Sequence, residues 1–337
     1  MDQNLKKKII TGLAIFVAVV LLISAWQIYV PRDFGASETI FYSAKAGLGG
    51  TKIAQDLKDE KIIKSSFWFN AYALLTGQSA RLQAGLYDIS PSMSIAALVK
   101  KMATGDVAKH KIKILEGWDV TDMADYLEEK KFYTREEFNK ALKMDFSKEF
   151  DFLYSKPKGM GLEGYIFPDT YYVPVESSAK DFLTLALNNF GKKLTPELRK
   201  KITADKRSIY QVVTMASILE KEVPTLIDKK MVAGILWKRI VTGMPLQLDS
   251  TVNYATGKSD SRVTLADSKI DSRYNTYKYY GLPLGPISNP GLESLMAAIN
   301  PIKTEYWFYL SASGNGKTIF SKTYEEHTSS ISKYLNS

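Results

Sequence analysis

Glu220 is the residue whose type is most out of place in this chain. It lies in residues 208–222 (SIYQVVTMASILEKE), whose spacing predicts a helix. At about 100° per residue, Ile209, Val212, Val213, Ala216 and Leu219 line one apolar stripe. Glu220 falls near the middle of that stripe, while Lys221 and Glu222 point elsewhere. Pro224 stops the helix, so Glu220 belongs to its last turn. A carboxyl group there loses hydration and faces the negative end of the helix dipole, and both effects favour its protonated form. A carboxyl that keeps its proton near neutral pH can act as a general acid. A glutamate satisfied by a partner, or snorkelling at a helix end, is the structural alternative.

Other chemistries find little material. The chain of 337 residues has no cysteine, which removes disulfides and thiolate metal sites. Its two histidines, His110 and His327, are far apart in sequence and make an imidazole zinc site a poor expectation. No metal and no cofactor are expected. Residues 311–318 (SASGNGKT) end in Gly-Lys-Thr, but Ser311 stands where a phosphate loop has its first glycine, and a strand rather than a helix is expected to follow. His327, in a Glu-Glu-His run, is read as part of a solvated helix face.

The elements that must position Glu220 begin with an anchor. Residues 9–30 (IITGLAIFVAVVLLISAWQIYV) carry no charge and are long enough to cross a bilayer, which takes about 20 apolar residues. Lys6, Lys7 and Lys8 precede them, and Trp26 and Tyr29 sit at the far end, where interfacial aromatics belong. The expected arrangement is a single pass through the plasma membrane, with residues 1–8 cytoplasmic and the rest outside. A cleaved signal peptide would have a shorter apolar core and a small-x-small site, which is not evident after Val30. The net charge of +9 suits anionic lipid or wall polymer; nucleic acid is not expected as a partner of an exported chain.

Residues 31–38 read as a linker. A small α/β unit follows, with strands at 39–43 and 82–89 and helices from 51, at 65–75 and at 94–104. A strand at 111–115 leads to a Glu116-Gly117-Trp118 turn, then to helices at 121–129 and 135–142. Residues 154–164 read as an exposed loop, 183–242 as mostly helical with one clear helix at 226–241, and 246–290 as a long run of turns rich in tyrosine. Strands at 306–310 and 318–321 form a hairpin across Gly-Asn-Gly, and a last helix covers 324–335. No internal repeat is evident.

Several segments together resemble the endolytic murein transglycosylase, or YceG-like, family. They are 216–222 (ASILEKE), 246–251 (LQLDST), 274–277 (YNTY), 281–291 (GLPLGPISNPG), 162–171 (LEGYIFPDTY) and 115–118 (LEGW). The resemblance covers nearly all of the chain beyond the anchor. The family usually has proline where Ser250 and Leu284 stand; Lys317 lies where a histidine is common, and Thr328 replaces an asparagine.

The resemblance implies an α+β fold: an N-terminal transmembrane helix, a small LysM-like α/β subdomain at 39–107, then a mostly helical YceG-like catalytic domain at 108–337 with a C-terminal β-hairpin. It implies non-hydrolytic cleavage of the β-1,4 bond between N-acetylmuramic acid and N-acetylglucosamine in peptidoglycan glycan strands. Glu220 would protonate the glycosidic oxygen and then take the proton of the muramyl C6 hydroxyl, whose oxygen closes on C1 to leave a 1,6-anhydro end. The sugar supplies the nucleophile, so one carboxyl suffices, whereas common glycosidases use two. Gln247, Tyr274, Asn275 and Tyr277 are the expected saccharide contacts. Glu222, Asp249 and Glu163 are further candidates for the cleft, with helix-end or turn roles as alternatives. Penicillin-binding synthases and the elongation or division machinery are implied partners. A muramidase that uses water, and a non-catalytic wall-binding scaffold, are the competing functions.

Overall fold

The computed structural model describes residues 3–258, 263–311 and 317–334. Two compact units divide the chain: Met1–His110 with Val173–Glu176, and Lys111–Tyr172 with Ser177–Ser337.

In the first unit, α1 (Gln3–Tyr29) is an apolar helix with a mean hydropathy of 2.6 over its best window, long enough to cross a membrane. Its last turn enters the folded unit, where Ile28 is buried. The antiparallel strands β1 (Ile40–Ala44) and β2 (Gly85–Ile89) pair Tyr42 with Tyr87. Helices α2 (Gly50–Asp59) and α3 (Ser66–Leu75) lie between them in sequence, and α4 (Ile95–Ala103) follows, capped by Ser94. Ile53, Leu57, Ile62, Phe69, Tyr87, Leu98 and Met102 make the core. Residues 31–38 are bonded to this unit: Arg32 Nη1 donates to Ile63 O (3.1 Å) and Asp33 N to Pro91 O (3.0 Å).

β3 (Lys109–Lys113) pairs with β4 (Thr170–Pro174). Between the two strands come α5 (Val120–Glu129) and α6 (Arg135–Leu142); α7 (Ala179–Lys193) follows. Capping boxes Asp119/Asp122, Thr134/Glu137 and Ser178/Asp181 start these three helices. Then come α8 (Pro196–Ala204), α9 (Ile209–Glu222), α10 (Leu226–Val241), α11 (Asp249–Thr256) and α12 (Leu292–Ile299). The antiparallel hairpin of β5 (Phe308–Ser311) and β6 (Thr318–Ser321) precedes α13 (Tyr324–Tyr334). The Gly-Asn-Gly turn expected in that hairpin lies outside the described residues, as does most of the segment 311–318.

β4, α11 and α12 were not expected. α11 and α12 have eight residues each, too few for a helical period to stand out, and α11 starts inside what reads as a loop. Leu162, Glu163 and Gly164 are buried, so the loop expected to be exposed through 164 is exposed only in its earlier part. His327 is half-buried and stacks on Phe308 (5.2 Å), not on a solvated face.

An order of elements recurs within the chain. The order strand, helix, helix, strand, helix occurs as β1-α2-α3-β2-α4 and again as β3-α5-α6-β4-α7. Both copies end their first helix in the same way. Lys61 (φ 60°) and Lys131 (φ 57°) take the left-handed conformation, and the next residue's N–H closes on Leu57 O (2.8 Å) or Leu127 O (2.9 Å). Lysine in place of the usual glycine hides that signature from a sequence reading. Phe69-Asn70 of α3 aligns with Phe138-Asn139 of α6, and both phenylalanines are fully buried.

α9 is the centre of the second unit. Every residue from Val212 to Leu219 is buried, under α10, α11 and α12. α10 meets the chain after α12 at a glycine: Ile302 N donates to Lys230 O (3.0 Å), and a β-carbon at Gly234 would collide with Ile302 O. Gly234→Ala therefore lowers stability by about 1–3 kcal/mol, although alanine is the better helix former. Denaturant unfolding reads this as a lower midpoint at unchanged slope.

Candidate functional site

Glu220 occupies the last turn of α9, as its stripe and Pro224 require; Val223 N–H closes the helix on Leu219 O. Its side chain is only 8% exposed. It is not isolated: both of its oxygens have partners. Lys229 Nζ, on a side chain 5% exposed, pairs with Oε1 at 2.9 Å, and Gly291 N donates to Oε2 at 2.8 Å. Both oxygens accept, the arrangement of a carboxylate with a buried counter-charge. Lys229 comes from the start of α10, which Thr225 caps through Asp228 N.

A second carboxyl group stands at the same place. Glu116 lies against Gly291, where any β-carbon would collide with Glu116 Oε1. A β-carbon at the neighbouring Gly117 would touch Glu220 Cγ at 3.7 Å. Partial burial, and then the charge of Glu220, push the Glu116 carboxyl above the usual range, with Lys229 opposing.

Three distant segments are held together here by Asn289. Its Nδ2 donates to Trp118 O (3.1 Å) and Glu163 Oε1 (2.7 Å), and its Oδ1 accepts from Ile166 N (2.9 Å). Its backbone exchanges bonds with the Glu116 turn through Gly117 N to Asn289 O (3.0 Å) and Asn289 N to Trp118 O (2.8 Å). The residues just before it are fastened to α9: Ile287 N donates to Ser217 Oγ (3.0 Å), and Ser288 Oγ to Ser217 O (3.0 Å). These bonds bring Gly291 N to Glu220.

The other expected residues fall into separate groups, and Glu220 bonds to none of them. Glu163 is enclosed, and its Oε2 accepts from Val120 N (3.1 Å) and Tyr254 OH (3.2 Å). Loss of hydration outweighs these donors and pushes its carboxyl up to about 8. Tyr274 packs on Tyr254, ring centres 4.9 Å apart. Glu222 points about 200° around α9 from Glu220, so these two do not form a carboxyl pair. Glu222 accepts from Ser250 Oγ (2.6 Å) and Tyr309 OH (2.8 Å), and burial raises its pKa. Asp249, in the first turn of α11, accepts from Tyr277 OH at 2.5 Å. Gln247 is exposed, with a left-handed φ of 55°. Such a backbone in a non-glycine residue is a modest strain that often marks a functional loop.

Asn275 sits differently from the expected saccharide contact. It is fully buried, its Nδ2 donates to Ser268 O (3.0 Å) and Ile270 O (2.8 Å), and its Oδ1 accepts from Tyr277 N (3.0 Å). With its amide spent on its own loop, it shapes the backbone that carries Tyr274 and Tyr277. A concavity of about 370 Å³, lined by Tyr210, Thr214, Trp237, Leu282 and Pro283 among others, lies at the other end of α9 from Glu220.

Lys229, Glu116, Asn289 and Tyr254 were not singled out as site residues. Lys229 reads as one more polar residue of an amphipathic helix, and Glu116 is remote in sequence. Among the described residues no cluster of side chains could hold a metal ion.

Comparison with known proteins places the chain. The profile of the YceG-like family matches residues 43–333. A Bacillus subtilis (strain 168) protein named endolytic murein transglycosylase is 33% identical over 322 residues, which cover 91% of this chain and 88% of that protein. A Streptococcus pneumoniae (strain D39) protein of the same name is 26% identical; the match covers 91% of this chain and 60% of that longer one. A crystal structure of a yceG-like protein from Listeria monocytogenes is 33% identical, with a TM-score of 0.60, and covers 87% of this chain and 99% of that chain.

Two outcomes follow from the buried groups. Lys229→Met strands the Glu220 charge and costs about 3–5 kcal/mol in unfolding free energy; adding Glu220→Gln returns most of it. Glu163 has a folded-state pKa above its unfolded one, so the folded chain binds the extra proton. Its contribution is fully present below pH ~4.5 and is lost as pH rises toward about 8. Melting temperatures across that range fall with pH, and Glu163→Gln flattens the slope.

Proposed function

This chain belongs to the YceG-like family, and from that premise we propose that it is a membrane-anchored endolytic lytic transglycosylase of peptidoglycan. The observation that carries the reading is Glu220, a carboxyl group held at the end of a buried helix by Lys229 and Gly291 N–H. The relatives named endolytic murein transglycosylase supply the reaction class.

In the proposed mechanism Glu220 is the carboxyl that meets the bond between N-acetylmuramic acid and N-acetylglucosamine. It delivers a proton to the bridging oxygen and then accepts the proton of the muramyl C6 hydroxyl, while that oxygen closes on C1. The leaving oxygen gains one proton, the hydroxyl loses one, and no water is consumed. Glu116, beside Glu220, is proposed to hand it the proton for the first step and to take it back after the second: burial, and then the charge of Glu220, push its carboxyl above the usual range. Gln247, Tyr274, Tyr277 and Asp249 are proposed to line the saccharide path, with Glu222 bracing α11 through Ser250.

The finer assignments belong to the same proposal. The first unit, with its β-α-α-β order, is read as LysM-like and as a holder of glycan, and residues 108–337 as the catalytic domain. α1 is read as a single-pass anchor with a cytoplasmic N-terminus, which keeps the enzyme near newly made strands. Penicillin-binding synthases and the elongation or division machinery are the proposed neighbours.

The proximity of Glu116 favours one second reading, a muramidase, because hydrolases of this bond work with two carboxyl groups. Mass analysis of products from uncrosslinked glycan separates the two, since hydrolysis adds one water per cut and transglycosylation adds none. Glu220→Gln lowers turnover by about 10²–10⁴ with the fold intact, as general acid–base catalysis requires. Full activity in that variant would remove Glu220 from the mechanism.

A further inference from the structure

We propose that α3 lies in the membrane interface, with one face immersed at the headgroup boundary, so that the first unit rests on the lipid surface. This goes beyond the anchoring read for α1 and rests on it. Phe67, Ala71, Leu74 and Leu75 fall at the i, i+4, i+7 and i+8 positions of α3, a single helix face. Phe67 is 67% exposed, Leu74 71% and Leu75 84%. These large apolar side chains lie together outside the core, on a short helix in contact with the anchor.

Contacts with α1 set the depth of this face. Tyr29 of α1 meets Tyr72 of α3 edge to face, with ring centres 6.2 Å apart. Lys64, just before α3, places its Nζ 3.8 Å from the centre of the Trp26 ring. Trp26 and Tyr29 close the apolar stretch of α1, the level at which aromatic rings and lysine amines settle between acyl chains and water. Ile28 is buried in the unit, and Arg32 and Asp33 are bonded to it, so α1 joins the fold without a slack segment. A helix in contact with that end of α1 is brought to the same level.

The recurring order of elements supplies the comparison. With Phe69-Asn70 aligned on Phe138-Asn139, Phe67 corresponds to Glu136, Ala71 to Lys140, Leu74 to Lys143 and Leu75 to Met144, which is 45% exposed. The buried phenylalanine is kept, but three of these four positions are charged at and just beyond α6, where all four are apolar in α3. The fold at this position therefore does not require an apolar exterior. The copy that touches α1 has one, and lipid is the apolar medium that α1 would bring to it.

The chain has no cysteine, which makes the test direct. Nitroxide labels are placed on single cysteines at Phe16→Cys in α1, Leu75→Cys in α3 and Lys58→Cys in α2, in the full chain reconstituted in liposomes containing anionic lipid. Collision with oxygen, which enters lipid, is compared with collision with a water-soluble nickel chelate. The expected result is oxygen-dominated collision at 16 and at 75, with 16 deeper, and nickel-dominated collision at 58. Introducing Phe67→Glu and Leu74→Lys into the Leu75→Cys chain shifts the label at 75 toward the nickel pattern and leaves 16 unchanged. If 75 matches 58 while 16 remains in lipid, the inference about α3 is overturned and the anchor stands. If 16 is also in water, the anchor reading fails and takes this one with it.

Discussion

A carboxylate enclosed by protein must be given donors, and the cost of failing to do so is larger than that of almost any local rearrangement. Glu220 imposes that constraint on its surroundings. Its two oxygens are met by an ammonium from α10 and a backbone N–H from the loop entering α12. Both have to be delivered to the C-terminal end of α9. The turn at Pro224, the Thr225 cap and the early placing of Lys229 in α10 deliver the first. The serine and asparagine bonds of residues 287–289 deliver the second. The helix dipole gives no help at this end, which is why a full positive charge is used.

Asn289 carries the rest of the organisation. A single buried amide bonds to the Glu116 turn, to Glu163 and to Ile166, so the segments that read as separate motifs become one hydrogen-bonded body. A buried network of this kind is worth having only when every member is satisfied, because a half-satisfied one costs more than an apolar core. Glu163 fits that demand with a choice of states. When it holds its proton, it can donate to Tyr254 OH, and when it does not, it accepts from it.

Much of this was legible in the residues. The limits of α10 matched its apolar period and its Gly243 stop, and the acid on the α9 stripe was found from spacing alone. Periodicity reports which face of an element is covered, but it does not report by what. A partner for Glu220 could therefore be anticipated, but nothing in the spacing named Lys229 as that partner. Glu116 is joined to the site only through the fold, and Asn275 belongs to a turn whose backbone needs could not be seen before the loop was folded. Ser250 has a use here as a donor to Glu222.

The eight consecutive buried residues of α9 tie the acid to the least yielding part of its unit. Amide protons in such a segment exchange with solvent only when a large part of the fold opens, unlike those of termini or loops. Glu220 sits one residue beyond that segment, so its position does not relax by small local steps. The damage done by weakening substitutions elsewhere in the unit is then to the number of folded molecules rather than to the accuracy of each one. Yield and catalytic geometry in such a protein decay separately: the first gradually, the second only with the whole.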